Sequence, residues 1–127
     1  MKPEEVFPDM PLAQWAEVLC LWLIRRSKHI KSQLEKKGRY NAFATAIGEW
    51  EDKYVNAPSD NYSYEEAARA LFEICSQFGL IDALLDEESL ARACVSPRAL
   101  HTKGVFMVDV KNLKQRMEEV AKAFGHG

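Results

Sequence analysis

Residues that interrupt or staple a fold are scarce in this chain. Only six glycines and five prolines occur among 127 residues, and they cluster between apolar-periodic stretches. Collagen-like and low-complexity classes are thereby excluded. The three cysteines, Cys20, Cys75 and Cys94, are an odd number without metal-ligand or redox spacing. Each sits in an apolar helical context, where cysteine behaves as a small buried hydrophobe. The pattern predicts free thiols and a reducing compartment. The longest all-apolar turn, Val18 to Ile24, runs for seven residues, against the ~20 that a membrane span needs. The first residues include Glu4, Glu5 and Asp9 and show no basic start or small-residue cleavage site. A cytoplasmic location with no membrane partner is expected.

Catalytic side chains are scarce as well. There are three histidines: His29 in a basic run, His101 near Arg98 and Lys103, and His126 close to the C-terminus. No H-E-x-x-H, E-x-x-H, C-x-x-C, G-x-x-x-x-G-K or G-x-G-x-x-G spacing occurs. A zinc site on Cys94 and His101 lacks two further ligands. Paired acids such as Glu87/Glu88 and Glu118/Glu119 fall on faces expected to be solvated. The residues therefore predict no enzyme, no metal and no cofactor.

What the chain has is helical periodicity. Of its residues, 47% are hydrophobic and 28% charged, ordinary values for a globular domain that folds without a staple. Residues 1–11, with three prolines, read as an irregular arm that Val6 and Phe7 pin to a single helical domain over 12–125. A first helix is predicted from Leu12 to Lys37, with Pro11 in its first turn, Asp9 as cap and Gly38 as stop. Leu12, Trp15, Leu19, Trp22, Leu23, Ile30 and Leu34 form one stripe. Val18, Leu21 and Ile24 lie opposite, so the first half is buried on two faces and the second on one. Read as a single rod, its basic end overhangs the body unless it breaks near Ser27. A second helix covers Tyr40 to Val55 on a stripe of Phe43, Ile47, Trp50 and Tyr54. A third opens at Ser63, where Ser-Tyr-Glu-Glu makes a capping box, and stops at Gly79. Short helical pieces follow, first over Leu80 to Leu85 and then in the segment 86–103. Gly104 to Val108 is the one extended-looking run, and a final helix spans Val110 to Phe124. The predicted fold is an all-α bundle of about four main helices plus short connecting ones.

Charge is the second informative feature. Residues 25–39 carry seven basic side chains against Glu35 alone, a local +6 on a chain whose net charge is −2. Arg25, Arg26, Lys28, Lys36 and Arg39 are therefore the candidate partner-binding residues, suited to an acidic protein surface. Arg26 is the misfit among them: it falls on the apolar stripe, four residues from both Trp22 and Ile30. The all-round apolar turn 18–24, with Phe106 and Met107, is a candidate homodimer seam. The stretch Ser89-Leu90-Ala91-Arg92-Ala93-Cys94-Val95-Ser96-Pro97-Arg98-Ala99-Leu100 resembles a helix-turn-helix. The glycine usual before Val-Ser is missing, which leaves the turn one residue short. That resemblance makes Arg98, His101 and Lys103 candidate nucleic-acid-binding residues. The function expected from the sequence is a non-catalytic interaction or regulatory module of adaptor or inhibitor type, with a nucleic-acid-binding regulator, using the basic stripe of the first helix or the segment 86–103, as the alternative.

Overall fold

The computed structural model describes residues 2–8, 10–56, 63–86 and 110–124. These form the expected all-α bundle, with no strand among the described residues. The helices are α1 (Pro3–Val6), α2 (Leu12–Arg25), α3 (Ser27–Lys36), α4 (Tyr40–Trp50), α5 (Tyr64–Gln77), α6 (Leu80–Leu84) and α7 (Val110–Phe124), and a π-helical turn (Glu51–Val55) continues α4.

The arm is not irregular throughout. Pro3 suits the first turn of a helix, and the Lys2 backbone N–H donates to the Glu5 carboxylate at 3.3 Å. One helical turn results, and it delivers Phe7 into the core. Phe7 stacks on Trp15 with ring centroids 6.0 Å apart, and both rings meet Phe72 edge-on. Asp9 lies outside the described residues, and Pro11 occupies the cap position of α2.

The single rod predicted over 12–37 is two helices. Arg26 adopts φ −105°, ψ 17°, outside the helical region. The ladder nevertheless spans the interruption: the Arg26 N–H donates to the Trp22 carbonyl, and its own carbonyl accepts from Ile30, both at 2.9 Å. The second half does not project as a free overhang, because α3 lies against α4 and α7. α3 ends in a Schellman motif. Gly38 takes φ +68°, its N–H donates to the Glu35 carbonyl, and the Arg39 N–H donates to that of Leu34 at 2.8 Å.

α4 starts where expected, but its end differs. Residues 51–55 widen to a π turn, in which the Asn56 N–H reaches the Glu51 carbonyl at 2.8 Å. The wider turn brings Val55 into the core and leaves Tyr54 half-buried. The Trp50 indole N–H donates to the Ala67 carbonyl at 2.9 Å, the polar handle that a buried tryptophan needs. α5 opens as predicted, with the Ser63 hydroxyl accepting from the Glu66 N–H at 3.3 Å. Gly79 follows its end at φ +72°. α7 has the predicted bounds, and Leu113, Met117, Val120, Ala121 and Phe124 are buried along its stripe. It is the principal neighbour of α2.

Candidate functional site

The five candidate partner-binding cations fall into three environments. Arg25, Lys28 and Lys36 are exposed. Spacings of three and eight residues keep them near one line on the solvent side of α2 and α3. Lys28, Lys36 and the neighbouring Lys37 make no ion pair with any described residue. The cations of the body differ. Arg69 pairs with Glu4 and Glu65, and Arg116 pairs with Glu17 at 3.4 Å and Glu119 at 3.3 Å. Burial works against the Arg116 charge, but the Glu119 hydrogen bond and the nearby Glu17 leave its pKa raised. Among the described residues, Arg69 and Arg116 thus each meet two acids, while Lys28 and Lys36 of α3 meet none.

Arg39 is exposed but tied down. Its guanidinium lies 4.6 Å from the centre of the Phe78 ring and donates to the Gln77 carbonyl at 3.3 Å. It thereby satisfies a carbonyl at the C-terminus of α5, where a cation is favoured. The next residue does the same for another helix: the Tyr40 hydroxyl donates to the Phe124 carbonyl of α7 at 3.4 Å. The corner after Gly38 thus fastens two helix ends. Lys31 adds a cation–π contact to Tyr40 at 5.2 Å.

Arg26 is the third environment. It is half-buried, and its Nε is enclosed with no hydrogen-bond partner among the described residues. It lines a cleft of about 310 Å³ between α3 and the corner joining α5 to α6. His29, Gln33 and Lys37 share the α3 wall, and Asp86 stands on the opposite rim. Periodicity did not reveal this cleft, because residues 22–37 and 78–86 meet only through packing. The one signal was a charged residue placed on an apolar stripe.

The candidate seam at 18–24 is mostly spent inside the chain. Val18, Leu19, Cys20, Trp22 and Leu23 are core residues, and Leu21 and Ile24 pack partly buried against them. Phe106 and Met107 lie outside the described residues. So do Arg98, His101 and Lys103, together with the whole helix-turn-helix-like stretch 89–100. Cys20 and Cys75 are free and buried. Burial pushes both thiols up, Cys75 to about 12 and Cys20 further, which keeps them protonated and unreactive. Among the described residues, no three His, Cys, Asp or Glu side chains converge as a metal site, and no helix is long and apolar enough to cross a membrane. Comparison with protein-family models, curated proteins and solved structures finds no match to the chain.

Proposed function

We propose that this protein is a non-catalytic interaction module of adaptor or inhibitor type, which captures a partner with an acidic protein surface. The observation that carries this reading is the set of exposed α3 lysines that pair with no acid among the described residues, beside Arg69 and Arg116, each of which meets two acids. Such a patch steers encounter and makes it sensitive to salt. The half-buried Leu21 and Ile24 are the apolar side chains of the 18–24 turn left to contribute to a contact or to a homodimer. Arg39 is a poor probe of the patch, because it anchors the end of α5.

The test is capture from native lysate by the tagged protein and by a Lys28→Glu/Lys36→Glu variant, each with and without nuclease. We expect a protein partner that survives nuclease, is released as salt rises, and is lost with the variant. The thermal midpoint should be unchanged, since both substituted residues are exposed. Capture that the variant retains overturns the assignment to α3. Material that disappears with nuclease transfers the reading to a nucleic-acid-binding regulator, whose affinity falls steeply with salt.

A further inference from the structure

The cleft that Arg26 lines is built from different residues than the exposed lysine line, and its chemistry is different. Part of its lining is apolar, from Trp22, Ile30, Leu34, Phe78 and Leu80. Into this setting α3 and its two flanking residues place His29, Arg26 and Lys37, while Asp86 is the one acid among the described lining residues. The Nε of Arg26 is enclosed without an acceptor among the described residues. A buried donor in that state bears its desolvation cost with no return. Arginine is also the side chain best suited to a carboxylate, through its planar fork.

Size narrows the ligand. About 310 Å³ is roughly twice the ~150 Å³ cavity that takes up benzene, and it lies at the small end of ligand pockets. We propose that this cleft binds a small monocarboxylate with an apolar body, an aryl- or branched-alkyl acid. Its carboxylate is held by Arg26 with Lys37 and His29 alongside, and its ring or chain rests on Trp22, Leu34 and Leu80. A single negative charge fits better than a phosphate dianion. Asp86, the one acid among the described lining residues, disfavours a second negative charge.

The experiment is calorimetric titration of the full chain with 3-phenylpropionate, with its neutral amide and with phenyl phosphate. The acid is expected to saturate one site with a Kd of about 0.1–1 mM. The amide and the phosphate are each expected to bind at least tenfold more weakly. Arg26→Leu should lose at least tenfold. It should still fold, because it replaces a half-buried cation on an apolar stripe with an apolar side chain. Lys37→Gln, at an exposed position that does not threaten the fold, should weaken the acid severalfold. Lys28→Glu/Lys36→Glu should bind the acid like the unmodified chain, which separates this site from the partner-capturing line. Absence of saturable binding by the acid overturns the proposal. Equal affinity for acid and amide, or full affinity in both Arg26→Leu and Lys37→Gln, overturns it as well. Phosphate binding as tight as the acid overturns the monoanion assignment.

Discussion

α2 and α3 come from one helical pattern in the sequence, yet they meet the body in different ways. α2 buries eight of its fourteen residues, while α3 buries two of its ten, Ile30 and Leu34. Both are helical and joined by continuing hydrogen bonds at Arg26. The difference therefore lies in side-chain composition and not in backbone preference. Where the chain is apolar all round, the body closes over most of it and leaves Leu21 and Ile24 half-buried. Where it turns basic, one stripe suffices to dock it, and the rest is left as a charged surface. A single residue, Arg26, sits at the change of regime and belongs to both. Its backbone ends the buried helix, and its side chain opens the cleft beside the exposed one.

The comparison is broken most severely in α2. Leu19 is fully enclosed, so Leu19→Ala removes core atoms and leaves a cavity, at a cost of roughly 2–5 kcal/mol. On α3 the matched change at an exposed site, Lys36→Ala, should stay within about 0.5 kcal/mol. Denaturant melts of the two variants measure the contrast. A cost below ~1 kcal/mol for Leu19→Ala would mean that α2 is not the centre of the core.

Much of this contrast is legible in the sequence. The one-sided pattern of 30–34 matches the burial found, whereas on the second face of 18–24 only Val18 is buried and Leu21 and Ile24 stay half-buried. Ser63, Gly38 and Gly79 marked true boundaries, because capping chemistry is local and each needs only its immediate neighbours. The π turn at 51–55 was not legible. A period of 3.6 residues places Tyr54 on the stripe, and only the wider turn exchanges it for Val55. Nor was the interruption at Arg26 fixed by the pattern, since no proline or glycine stands there. For the site, the charge of 25–39 was plain. The division of its cations was not, because it depends on partners far along the chain: Gln77 and Phe78 for Arg39, and the corner at Gly79 for the cleft beside Arg26.

A smaller effect sharpens the comparison at the far end of α3. The half-buried Tyr40 ties that end to α7 through the Phe124 carbonyl. Tyr40→Phe keeps the ring and deletes one donor, which should cost about 0.5–1.5 kcal/mol. The oxygen–oxygen separation of 3.4 Å is long and favours the lower part of that range. Hydrogen exchange at the last turn of α7 should rise selectively. Unchanged exchange there would mean that α3 is held by Ile30 and Leu34 alone.

The smallest expected effect lies where α2 receives a cover that α3 lacks. The arm lays Phe7 over Trp15, and Glu4 fastens it to Arg69 of α5. The Arg69 hydrogen bond holds the Glu4 carboxyl below its ordinary pKa, and Arg69 is raised in turn. A group whose folded-state pKa is depressed contributes stability above its ordinary titration range and loses it as pH falls through the lowered value. Docking of the arm should therefore be intact at neutral pH and loosen only in that acidic window. Solvent screening keeps the contribution slight, because both side chains are open to water. The Glu4 carboxyl carbon, followed by NMR against pH, should titrate below the ordinary glutamate range and move back towards it in Arg69→Gln. The Trp15 indole signal should shift over the same window if protonation frees the arm. Ordinary titration of Glu4 in the unmodified chain would show that the ion pair does not persist in solution. The stacking of Phe7 on Trp15 would then be the arm's attachment, and the cover over α2 would owe nothing to charge.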